Sequence, residues 1–157
     1  MKTIPLSKGY CAQVSDKDYK RCLTAGPWFA FLHRKTVYGV RNIKKGQRGS
    51  TYLHRFILRV KNPAVLVDHK DGNGLHCWRR NIRKVNPSQS QMNRDKQTNN
   101  TSGVSGVSWH KRAKKFEAHI KVHRKKKYLG LFTNLKAAKK AVEKAKKIYY
   151  GIFRRIQ

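Results

Sequence analysis

Acidic residues are scarce in this chain: its 157 residues include 7 Asp and Glu against 38 Lys and Arg, a formal net charge of +31. Self-repulsion on that scale is relieved by a polyanion or by high salt, so a compact protein working alone is excluded and nucleic acid is the expected partner. The charge is not a basic tail, because residues 1–93 hold 19 Lys and Arg against 4 acids and residues 94–157 hold 19 against 3. Cysteine is sparse too. Cys11, Cys22 and Cys77 form no Cys-x-x-Cys pair, which argues against a zinc or redox motif and fits reduced thiols. Long apolar runs are missing: none nears the roughly 20 residues of a membrane span. The opening MKTIPLSKGYCAQV lacks the apolar stretch of a signal peptide. These absences lead to the expectation of a soluble, cytoplasmic protein without a membrane partner.

What the chain does have is a succession of short apolar runs broken by turn residues. YCAQV, PWFAFLH and TVYGVRN read as strands, with a brief helix around DKDYKRCL capped by Ser15 or Asp16. TYLHRFILRV is bulky and apolar, and periodicity leaves it open between helix and strand. A helix is expected to start near Ser88. Residues 94–102, RDKQTNNTS, contain no apolar residue and read as the linker. Beyond it, GVSGVSWHK, KKFEAHIKV and KKKYLGLF alternate as three strands. TNLKAAKKAVEKAKKIYYG then places Leu135, Ala138, Val142, Ala145 and Ile148 or Tyr149 on one helical stripe, capped by Thr133 or Asn134 and ended by Gly151. The expected fold class is α+β: an N-terminal domain over 1–94, a linker over 95–102, and a sheet-plus-helix domain over 103–157.

Two of the few acids, Asp68 and Asp71, flank His69 in VDHKDGN. A histidine beside a carboxylate suits metal-assisted phosphodiester cleavage, in which the acid holds a divalent ion on phosphate and the imidazole takes a proton from water. Adjacent strand residues point to opposite faces, so Asp68 and His69 share a site only where the strand twists into the loop marked by Gly72 and Gly74. The bland alternative is a surface turn closed by Asp71 and Asn73.

The segment VDHKDGNGLHCWRRNIRKVNPSQSQMNR resembles the core of an HNH nuclease: a strand ending in Asp-His, an Asp-Gly-Asn loop, an Asn-x-Arg, and a following helix. YLHRFIL and the opening IPLSKGYCAQVSDKDY resemble the parts that precede this core in phage and intron-borne members, so the likeness covers the chain through residue 94. It implies a ββα-metal fold over about 52–94 holding one Mg²⁺ or Mn²⁺. It makes Asp68 a metal ligand, His69 the general base and Asn81 the residue that fixes the loop and orients the histidine. Ser90 stands where the family places a metal-binding asparagine, with Asn93 one turn later as the alternative ligand. Arg55 is either a group stabilising charge on the phosphate or a backbone-positioning residue. His76 and Cys77 are taken as loop residues.

In the C-terminal part, alternation turns Val107, Trp109, Phe116, Ala118, Ile120 and Leu129 toward the helix. The same alternation turns Ser108, His110, Glu117, His119, Lys121, Lys126 and Tyr128 outward. A small sheet covered on one face leaves the other able to enter a DNA major groove. The pieces GVSW, KFEAHI, LGLF and the Ala-rich helix ending in YYG are similar to the Apetala-two-type DNA-binding domain of plant ethylene-response factors, in the form that follows HNH cores in bacteria and phages. By that similarity the seven outward residues contact DNA. HRKKK reads as a phosphate contact, with a solvated turn or a nuclear localisation signal as alternatives.

Together these readings lead to a homing-type endonuclease, phage- or mobile-element-encoded, that nicks or breaks double-stranded DNA as a monomer or dimer without an obligate protein partner. The alternatives are an inactive DNA-binding regulator derived from such a nuclease, and a basic RNA-binding protein.

Overall fold

In a computed structural model, residues 1–43, 49–93, 100–122 and 125–154 are described. Most of the linker (94–99), His123 and Arg124 of the HRKKK run, and the middle of the KKGQRGS loop (44–48) lie outside those residues. The architecture is mixed α+β, built from small antiparallel sheets and short helices. The chain divides into two units, Met1–Asn86 and Pro87–Ile156.

The first unit begins with a hairpin of β1 (Lys2–Pro5) and β2 (Cys11–Val14). Alternation buries Ala12 and Val14 on one side of β2. Helix α1 (Asp16–Thr24) follows the Ser15 N-cap, but the Ser15 hydroxyl accepts instead from the Arg79 amide at 3.0 Å. Strands β3 (Phe29–His33), β4 (Thr36–Asn42) and β5 (Ser50–Tyr52) form an ordered antiparallel sheet. TYLHRFILRV resolves into both of its alternatives, since Tyr52 ends β5 and α2 (Leu53–Ile57) begins at the next residue. A second hairpin, β6 (Leu66–His69) with β7 (Ile82–Val85), sets Asp68 opposite Arg83 and His69 opposite Ile82.

Ile4, Val14, Cys22, Trp28, Leu53, Ile57, Cys77 and Ile82 form the core that these elements share. Each large aliphatic buried there contributes about 1.5–3 kcal/mol. An ion triad ties the rim together: Asp18 accepts from Arg79 at 2.7 Å through both oxygens and from Arg21 at 3.0 Å. Arg21 also donates to the carbonyls of Phe56 and Ile57 at the end of α2.

The second unit opens with α3 (Pro87–Met92), the helix expected near Ser88. It packs against the short 3-10 turn Gly151–Phe153, which is why it counts with this unit. Strands β8 (Val107–His110), β9 (Lys115–Val122) and β10 (Lys125–Phe132) pair in the order β10-β9-β8 under α4 (Leu135–Tyr150). The Asn134 side chain caps α4 by accepting from the Ala137 amide at 2.8 Å. Val107, Ala118, Ile120, Val122, Ala138, Val142 and Ala145 are buried between sheet and helix. Gly106, at φ +90°, lies so close to the His119 carbonyl that an added Cβ would sit 2.6 Å from it.

Two inward assignments are corrected. Trp109 shares the helix-facing register with Val107 but is 47% exposed, because it sits near the end of the edge strand β8, where its ring packs edge-on against Phe116 at 4.8 Å. Ile148 and Tyr149 continue the helical stripe in sequence yet stay exposed; Tyr149 instead lies beneath the Lys127 ammonium at 4.8 Å. Strand β10 also carries a bulge at Leu129, where the register passes from Tyr128 opposite His119 directly to Gly130 opposite Ala118.

Candidate active site and nucleic-acid surface

The β6–β7 hairpin positions the first group of expected residues. Its connecting loop is latched from within. The Asn81 side chain donates to Asp71 Oδ1 at 2.9 Å and to the His76 carbonyl at 2.8 Å, and accepts from the Asp71 amide at 3.3 Å. Asp71 in turn meets His76 Nδ1 at 2.7 Å, and Asn73 bridges to the amide of Leu75 at 3.0 Å. Burial alone would raise the Asp71 pKa, but hydrogen bonds from Asn73, Asn81 and His76 bring it below its ordinary value. The loop is docked by backbone pairing as well: Gln13 donates to the Leu75 carbonyl and accepts from the Cys77 amide, both at 2.8 Å. Gly74 is required where the loop crosses β4, since a Cβ there would lie 2.4 Å from the Val37 carbonyl.

His69 ends β6 facing inward. It is 6% exposed, its Nε2 lies 3.6 Å from the Cys77 sulfur, and the ring of His54 meets it edge-on at 4.9 Å. Burial drives the His69 pKa down to about 4, against the opposing pull of Asp71 and Asp68, so the ring is neutral at neutral pH. His54, 7% exposed, is held down to about 3 by burial and by His69 and Arg55. Burial also raises the Cys77 pKa, keeping its thiol protonated.

Asp68 points to the other face, as strand alternation requires, and its Oδ2 accepts from Arg83 at 2.9 and 3.2 Å with both side chains largely buried. Arg55 donates to the carbonyls of Val65 at 2.6 Å and Asn62 at 2.7 Å, which fixes the approach to β6. Ser90, in α3, and the buried Asn93 just after it belong to the second unit, whereas Asp68, His69 and Asn81 belong to the first. Among the described residues no group of three His, Cys, Asp or Glu side chains gathers to hold a metal.

Sequence reasoning passed over Tyr38, whose ring meets His69 and His54, Tyr52, whose ring meets His54, and the Asp71–His76 pair. Only the five-residue interval between Asp71 and His76 hinted at the latter. The described acids share one property: Asp16, Asp18, Asp68, Asp71, Glu117 and Glu143 each have a basic partner.

On the second unit, the outer sheet face carries Ser108, Glu117, His119, Lys121, Lys126 and Tyr128, as register dictates. Lys126 donates to Glu117 at 3.0 Å, which lowers the Glu117 pKa. His110 is turned to a local task, since its Nδ1 accepts from the Ala113 amide at 3.0 Å and closes the β8–β9 turn. His119 has its pKa lowered by burial and by Lys126. Among the described residues no helix is long and apolar enough to cross a membrane.

Comparison with protein-family models, curated proteins and solved structures finds no match to this chain.

Proposed function

We propose that this chain is an HNH-type endonuclease acting on double-stranded DNA, with the β8–β10 sheet as its second DNA contact. One observation carries the reading: Asn81 latches the loop between β6 and β7 while a neutral His69 stands at its mouth. A neutral imidazole can accept a proton from an attacking water, and burial keeps His69 in that state across the physiological range. Asn81 holds the loop geometry, and Arg55 holds the strand that delivers His69.

The donor chemistry fits a hard cation of the magnesium or manganese class better than zinc. Asp68, on the face of β6 away from His69, would supply one carboxylate if the end of the strand turned toward the loop, the kind of site such ions complete with waters and substrate phosphate. When bound, such an ion would supply positive charge to a phosphate oxygen. Arg83 neutralises Asp68 and would have to share it.

That Asp68–Arg83 pair favours a second reading, a DNA-binding regulator without catalysis. Incubating the protein with supercoiled plasmid and magnesium, beside His69→Ala, decides between them. The nuclease reading expects nicked circles from the unmutated chain and at least about a hundredfold fewer from His69→Ala. DNA binding without nicking would establish the regulator instead.

A further inference from the structure

The sheet formed by β3, β4 and β5 exposes rings on one face. Phe29 and Phe31 are 41% and 42% exposed, and His33 lies on the same side of the strand. Across the sheet, Phe31 stands opposite Tyr38, and Val40 opposite Tyr52, so both tyrosines share that face. The rings form a continuous run: His33 to Phe31 at 6.4 Å, Phe31 to Tyr52 at 6.3 Å, Tyr52 to His54 at 5.3 Å and His54 to His69 at 4.9 Å. One end is therefore the inner edge of the candidate active site. The other is the β3–β4 turn, where Arg34 and Lys35 are both exposed.

Exposed aromatic groups of this kind mark a contact surface. A partner for a face bordered by cations, on a chain of charge +31, is a polyanion. The polyanion that also offers flat apolar surfaces is nucleic acid, and duplex DNA hides those surfaces within its stack. An unpaired strand presents them, and rings on alternate residues of one β-strand, about 6.8 Å apart, suit successive splayed bases.

We propose that this face binds an unpaired DNA strand, with bases stacked on Phe29, Phe31 and His33 and phosphates held by Arg34 and Lys35. Its role beside His69 rests on the nuclease reading; the strand-binding surface itself does not.

The test uses the full chain in EDTA, so that no cleavage enters. Anisotropy of a labelled oligothymidine measures affinity at fixed salt, and 2-aminopurine within the strand reports stacking by quenching. Replacing Phe29 and Phe31 together by alanine should weaken binding about thirtyfold and abolish the quench. Phe31→Trp should retain both. Leu32→Ala, an exposed apolar residue on the opposite side of β3, should change neither; matching urea midpoints exclude a folding defect. The proposal is overturned if the double alanine variant binds like the parent, if it weakens duplex binding equally, or if oligouridine is preferred with the same ring dependence. Plasmid nicking by the parent with ring-independent strand binding would reject this surface and leave the nuclease reading intact. Ring-dependent binding without nicking would do the reverse.

Discussion

Replacing Asp18 by asparagine should remove a large share of the stability of the first unit. Asp18 is 2% exposed and accepts three charge-assisted hydrogen bonds, two from Arg79 and one from Arg21. Breaking one side of a buried ion pair costs about 3–5 kcal/mol, because the partners left behind are uncompensated. Here both guanidiniums are partly exposed, so the lower end, about 3 kcal/mol, is expected. That is a substantial fraction of a small domain's ~5–15 kcal/mol. Urea unfolding followed by Trp28 fluorescence measures it, since Trp28 is buried beside α1 and donates to the Cys22 carbonyl at 2.8 Å. Asp16→Asn, which touches only the exposed amino terminus, should cost less than about 0.5 kcal/mol. Acid titration gives an independent check. Burial would raise the Asp18 pKa, but Arg79 and Arg21 outweigh it and the folded value lies below the ordinary one. The stabilisation is thus complete above about pH 4 and lost as pH falls through the folded pKa, a loss absent from Asp18→Asn. A cost under about 1 kcal/mol at neutral pH, or identical acid profiles, would refute the reasoning.

Other consequences are equally direct. His54 and His69 are depressed to about 3 and about 4, so the folded state binds fewer protons than the unfolded one below pH ~6.5. Stability should be full above that pH and fall by about 2 kcal/mol per histidine at pH 5, with His54→Phe removing part of the slope in urea melts; a flat profile in the parent would contradict it. Gly74→Ala forces a Cβ against the Val37 carbonyl and the Tyr38 ring, and should lower stability by about 1–3 kcal/mol in thermal unfolding. If Lys121 and Lys126 meet phosphates, alanine at both should reduce the slope of log K against log salt by about 1.8 for duplex DNA, read from a salt titration.

Legibility in the sequence followed the range of the forces involved. Alternation in KFEAHIK foretold which residues of β9 are buried, because each side chain's face is set by its own strand. The Asn134 cap and the stripe through Val142 were readable for the same local reason. Trp109 was not, since parity fixes its direction but the extent of the helix above it fixes its burial. Asp18 escaped notice because Arg79 lies 61 residues away along the chain. His54 was read within the apolar stretch TYLHRFILRV and as part of YLHRFIL beside Arg55, but its place against His69 depends on the folding of β4, β5 and β6 together.

The extra residue at Leu129 acts as a phase change within β10. Before it, Lys126 and Tyr128 look outward; after it, Leu131 takes the outward place and Gly130 the inward one. Were the strand to run on without the bulge, Leu129 would take the place opposite Ala118 and the two sides of the far end would exchange, bringing Phe132 out to solvent and Leu131 toward the helix; deleting Leu129 outright would leave Gly130 opposite Ala118 and both sides as they are. Shape and chemistry of the exposed sheet are thus set by where the bulge sits as much as by residue choice.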